Sequence, residues 1–146
     1  MKILWVSEDN GIFKEVSKLV DTNEIDGEFF YCFSGEEALR RGMEDNWDIV
    51  LLDIDLVYED SLEILQRIRS RDRDVYIIMI ARREDWSLIK RALDWGGNDF
   101  IYKPLNRGEF LFRFKVAVRK RKENIMAYNT ILAMQSAAAL KKVGGV

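Results

Sequence analysis

The sequence predicts a doubly wound α/β sandwich, with helices on both faces of a parallel sheet. Three observations predict it. Five apolar runs alternate with five segments of helical periodicity along 146 residues. The runs are too apolar to alternate between a dry and a wet face, which suits strands buried on both sides. Parallel neighbours also need crossovers, and the intervening helical segments provide them.

Lys2–Ser7 (KILWVS) opens the chain as a strand, and Ile12, Val16, Leu19 and Val20 follow as one helical stripe. Phe29–Phe33 (FFYCF) is the second strand. Its helix carries Ala38, Leu39 and Met43, and Ser34 with Glu37 has the spacing of a capping box. Asp48–Leu52 (DIVLL) is the third strand, followed by Leu62, Leu65 and Ile68. Val75–Ala81 (VYIIMIA) is the fourth; the helix after it shows Leu88, Ile89, Ala92 and Leu93 and stops at Gly96-Gly97. The short Phe100–Tyr102 is the fifth, and Phe110, Leu111, Phe114 and Val118 form the last stripe. Composition changes only after Arg119-Lys120-Arg121-Lys122. Residues 123–146 are rich in Ala, Met and Leu and have good helix propensity, so they read as an extra C-terminal helix appended to a domain of residues 1–122.

Composition narrows the chemistry. The chain has no histidine and one cysteine, Cys32. Disulfide frameworks, zinc sites built on imidazole or thiolate, and Ser-His or Cys-His catalysis are thereby excluded for this chain. A metal here must be bound by oxygen, which puts magnesium, calcium and manganese first. No run approaches the roughly 20 apolar residues of a membrane span, and MKILWVSEDNG does not read as a secretory signal, so a cytoplasmic protein is expected. The net charge of −2 hides an asymmetry: residues 1–64 hold 17 acids against 5 bases, and residues 65–146 hold 8 against 18. The expectation is that the halves neutralise each other across one fold.

In open α/β sheets, function gathers at the carboxyl ends of the strands. The first strand ends in Ser7, Glu8 and Asp9, and the third in Asp53 with Asp55 two residues on. The fourth ends in Ala81, and the fifth in Lys103 before the only proline, Pro104. Carboxylates gathered on one edge repel one another by several kcal/mol at an effective dielectric of about 20. A divalent cation resolves that repulsion, and Mg2+ accepts one or two carboxylates plus waters and phosphate oxygens.

These residues carry a family resemblance. KILWVSEDN resembles the first strand and acidic pair of the receiver domains of two-component response regulators. IVLLDIDLVYEDSLEIL resembles the stretch around their phosphoacceptor aspartate, and DFIYKPL their fifth strand with its lysine-proline. Three motifs stand in register over about residues 1–122. The resemblance implies a flavodoxin-like (βα)5 fold, a three-layer sandwich with strand order 2-1-3-4-5. It implies that Asp53 takes a phosphoryl group from a sensor histidine kinase or phosphotransfer protein. It further implies that Glu8, Asp9, Asp53 and the backbone carbonyl of Asp55 hold Mg2+, and that Lys103 pairs with the phosphoryl oxygens. Such a chain is a substrate and a switch rather than an ordinary enzyme.

The sequence departs from the family pattern in places. Ala81 stands where a Thr or Ser hydroxyl is usual, while the switch aromatic is present as Phe100. Val57 replaces a proline and Ser61 a glycine. The acidic pair aligns as Ser7–Glu8 or as Glu8–Asp9; the second keeps two carboxylates and is preferred. Ala81 and the unusual pair also suit a pseudo-receiver that works without phosphorylation. A third reading comes from Asp53-Ile-Asp-Leu-Val, which resembles the nucleophile motif of haloacid-dehalogenase-type phosphatases. Against it, only 93 residues follow Asp53 and no later acidic strand end appears.

The other signals are softer. Trp5 and Trp47 are expected in the core. Trp95, Tyr102, Phe112 and Val116 would make an apolar patch if they face outward, on the side formed by the fourth helix, fifth strand and fifth helix. That patch, or the C-terminal helix with Ile125, Tyr128 and Leu132 at near-heptad spacing, would serve a homodimer. The run Arg119–Lys122 reads as a solvated helix end rather than a nucleic-acid site, and no membrane partner is expected.

Overall fold

Strands and helices alternate in the expected order: β1 (Lys2–Val6), α1 (Asn10–Asp21), β2 (Glu28–Cys32), α2 (Gly35–Glu44), β3 (Ile49–Asp53), α3 (Ser61–Arg71), β4 (Tyr76–Ala81), α4 (Trp86–Asp94), β5 (Asp99–Tyr102) and α5 (Arg107–Gly144). The computed structural model describes residues 1–22, 25–44 and 46–144. The side chain of Met43, placed in a helical stripe from sequence, lies outside the described residues. All strand pairs are parallel, in the order β2-β1-β3-β4-β5.

Side chains alternate across the central strands, and both faces are dry. On one face Leu4, Val6, Val50, Leu52, Ile77 and Met79 pack under Ala38, Leu65, Ile68, Ile89 and Ala92. On the other, Ile3, Trp5, Ile49, Leu51, Ile78 and Ile80 pack under Ile12, Val16, Phe110 and Phe114. This double burial is why the strands read as near-continuous apolar runs. Trp5 and Trp47 are buried as expected. The edge strand β2 ends earlier than the sequence suggests: Phe33 lies beyond it, exposed, with its ring against Phe13.

The caps follow the local chemistry. Ser34 Oγ accepts from the Glu37 amide at 3.2 Å at the start of α2, and Asp60 accepts from the Leu62 amide at 2.9 Å at the start of α3. Gly96 follows α4 at φ +114°, a conformation that favours glycine, and a Cβ there would meet Arg69 Cγ at 2.9 Å. Residues 123–144 are helical, as expected, and they continue α5 without a break into one helix of 38 residues.

Sequence patterning did not reveal Arg69. From α3 its guanidinium donates to the carbonyls of Asp72, Arg73, Val75 and Gly96 and to Asn98 Oδ1, at 2.7–3.2 Å. It ties the end of α3 to the start of β4 and to the α4–β5 turn. Replacing it strands several part-buried carbonyls, so Arg69→Met is expected to cost about 3 kcal/mol in urea unfolding. Tyr128→Ala, on the exposed part of α5, should stay within about 0.5 kcal/mol of the parent.

Candidate functional site

The strand order places the carboxyl ends of β1, β3 and β4 side by side, with β5 next to β4. Each ladder runs one step past its strand: the Ser7 amide donates to the Cys32 carbonyl, and the Lys103 amide to the Ala81 carbonyl. Ser7, Asp53 and Lys103 are therefore fixed at the sheet edge by main-chain bonds. Pro104 follows Lys103 through a cis peptide bond.

Asp53 is fully buried at the end of β3. Its Oδ2 accepts from Ser7 Oγ at 2.7 Å and pairs with Lys103 Nζ at 2.6 Å. Its Oδ1 accepts from the Asp55 amide at 2.9 Å. Burial pushes the Asp53 carboxyl up from its usual range, and bonds from Lys103, Ser7 and the Asp55 amide pull it back only in part. Ser7 Oγ donates to Asp53 and accepts from the Asp9 amide at 3.0 Å, so the hydroxyl locks the β1–α1 turn onto the aspartate.

The two neighbouring acids divide their work. Glu8 reaches across to the loop after β3, where its Oε2 accepts from the Val57 amide at 3.0 Å. Asp9 turns to its own helix: Oδ1 caps α1, accepting from the amides of Gly11 and Ile12. The Asp55 carboxylate sits at the pocket mouth, 3.1 Å from Arg82 Nε and 3.7 Å from Lys103 Nζ. Among the described residues no three acidic side chains stand together as a metal cage. The donors at these strand ends are nevertheless all oxygen, and Asp53 and Glu8 bring two carboxylates to the loop after β3. That set fits an ion that takes one or two carboxylates and keeps several waters.

Ala81 is fully buried at the end of β4 and offers only a methyl group. Phe100 lies on β5 with its ring 5.9 Å from Trp86, 5.3 Å from Tyr102 and 5.2 Å from the Arg113 guanidinium. Trp95 and Phe112, 41% and 67% exposed, face outward nearby, whereas Tyr102 and Val116 are half-buried. Sequence reasoning weighed Ser7 only as half of an alternative acidic pair and passed over Arg82. The signal for both was position, since each directly follows the last residue of a strand in this sheet.

A family model described as the response regulator receiver domain matches residues 3–115. The chain is 27% identical over 120 residues to the response regulator ArlR of Staphylococcus saprophyticus, covering 82% of this chain and 53% of that protein. It is 27% identical over 133 residues to the response regulator MprA of Mycobacterium leprae, covering 91% and 58%. The chain thus spans about half the length of the curated relatives it matches. Among solved structures, a CheY-like receiver domain protein from Methanospirillum hungatei superposes with a TM-score of 0.76 at 20% identity, covering 84% of this chain and 97% of that one. A structure titled adenylate cyclase from Rhodopirellula baltica gives 0.78 at 18% identity, covering 90% and 96%. At such identities these two structures speak for the fold. Among the described residues no helix is long and apolar enough to cross a membrane.

The raised native value of Asp53 has a testable sign. The folded chain binds that proton more tightly than the unfolded one. Its contribution to stability is therefore full below the ordinary carboxylate value of 3.8 and is lost as pH rises through the higher native value. Asp53→Asn removes this dependence. Thermal unfolding should show the variant gaining on the parent as pH climbs from below 3.8 to neutrality.

Proposed function

The chain belongs to the response regulator receiver domain family, a family of signalling modules, and from that premise we propose that it accepts a phosphoryl group on Asp53 and signals by a changed protein contact. The observation that carries the proposal is the buried Asp53 carboxylate held against Lys103 at the sheet edge. The donor is the phosphohistidine of a sensor histidine kinase or of a phosphotransfer protein, met in the cytoplasm. An Asp53 oxygen attacks phosphorus while the bond from phosphorus to the donor nitrogen breaks, and the leaving imidazole keeps that electron pair. Lys103 balances the charge of the phosphoryl oxygens, and Ser7 holds the nucleophile in line.

Glu8, Asp53 and the Asp55 carbonyl would hold Mg2+, with Asp9 adding the carboxylate oxygen that α1 leaves free. When bound, the ion neutralises charge on the transferring oxygens. Residues 1–122 form the receiver unit in this reading and residues 123–146 its helical extension. Phe100 and Ala81 are its switch positions. A second copy of the chain would meet the face of α4, β5 and α5, where Trp95 and Phe112 are exposed, or the far part of α5.

Intact mass after incubation with Mg2+ and acetyl phosphate tests the proposal. The parent should gain one phosphoryl group and Asp53→Asn none. Lys103→Ala should slow the gain by about a hundredfold. No gain in the parent would favour the module that works without phosphorylation, for which the buried methyl of Ala81 speaks. Steady turnover that needs Asp55 would favour a phosphatase.

A further inference from the structure

A phosphoryl group brings about −1.5 to −2 charges to Asp53, and the pocket as built offers it one part-buried cation, Lys103, and no hydroxyl from β4. The residue after Ala81 is Arg82. Its guanidinium stands at the pocket mouth, Nε 3.1 Å from Asp55 Oδ2 and Nη2 3.3 Å from Asp55 Oδ1. The same Asp55 Oδ2 lies 3.7 Å from Lys103 Nζ, which touches Asp53. Asp55 therefore bridges two cations: Lys103, which touches the phosphoacceptor, and Arg82 beyond it. Arg82 and Lys103 also line one open groove of about 510 Å³, together with Asp9.

Arg82 pairs with acids that are all part-exposed, at the surface of the loop ends. Its side chain is 51% exposed, and its other partners are Asp85 at 3.2 Å and Glu84 at 3.7 Å. Exposed pairs of this kind contribute little. A guanidinium fork on phosphoryl oxygens makes two parallel charge-assisted bonds and is the stronger match.

We propose that Arg82 is a phosphoryl-binding residue: it leaves Asp55, Glu84 and Asp85 to grip the oxygens of phosphorylated Asp53, in place of the hydroxyl that Ala81 lacks. This rests on the phosphoacceptor reading above. It also gives the event a way out. The next residue, Arg83, lies over the Tyr102 ring at 4.6 Å, and Tyr102 abuts Phe100, so a shift of Arg82 bears on the aromatic face of β5.

Fluorine NMR of the full chain with Mg2+ and beryllofluoride, which occupies the phosphoryl position on a carboxylate oxygen, tests the assignment. Arg82→Ala should bind beryllofluoride about tenfold more weakly than the parent, and Arg82→Lys should fall between them. The urea midpoint of Arg82→Ala should match the parent, which a merely structural role would not predict. Equal affinity in the parent and Arg82→Ala overturns the assignment while leaving the phosphoacceptor reading intact. Failure of the parent to bind, or equal binding by Asp53→Asn, removes that reading and this inference with it.

Discussion

Burial penalises the charged form of a carboxylate and a cation beside it offsets that penalty, so the 2.6 Å contact of Lys103 with the fully buried Asp53 is the constraint on which the rest of the site depends. It joins the middle of the sheet to its last strand across β4. The ladder bond from the Lys103 amide to the Ala81 carbonyl sets the position of the lysine, Ser7 donates to the same aspartate oxygen from β1, and the Asp55 amide holds the other oxygen. Three strand ends thus pin the acid in the position that the proposed nucleophile requires, and the parallel order of the strands puts those ends together.

The same contact clarifies the charge asymmetry along the chain. Two of the places where the acidic half meets the basic half lie at opposite ends of the strands. One is the pocket, where Asp53 and Asp55 face Lys103 and Arg82. The other is the opposite edge of the sheet, where Asp48 takes Arg121 at 3.1 Å and the Lys2 amide at 2.8 Å. Other ion pairs stay within one half, such as Arg113 with Asp99 and with Glu109. Neutralisation between the halves therefore reaches both ends of the strands, one of them the candidate site.

Much of the fold was legible because burial on both faces writes itself into composition. Ile49 to Leu52 have no wet side, so no polar residue interrupts them. Asp53 and Lys103 were legible because a charge at the end of such a run has few neighbours to choose from. The division between Glu8 and Asp9 was less so. Both are acids beside a strand end, and only the backbone decides that Asp9 stands where the free amides of α1 point. Arg82 and Arg69 escaped for a related reason. Asp55 for Arg82, and Gly96 and Asn98 for Arg69, come from distant parts of the chain, while the nearby carbonyls of Asp72, Arg73 and Val75 are main-chain groups, and no side-chain periodicity records either.

The continuity of α5 has the same origin. Composition changes after Lys122, which suggested a separate helix, yet hydrogen bonding in a helix does not register composition. Forming the first turn is the costly step, and each further residue then adds one bond. Phe110, Phe114 and Ala117 pack the early turns against the sheet, and Arg121 clamps the next one to Asp48 and to the Asp74 carbonyl. Helix therefore extends from an existing nucleus through an alanine-rich stretch of good propensity, over about 33 Å for residues 123–144. The apolar series Ile125, Tyr128, Leu132 gives way to Gln135 and Ala139, so the sequence keeps this segment helical without selecting one face of it.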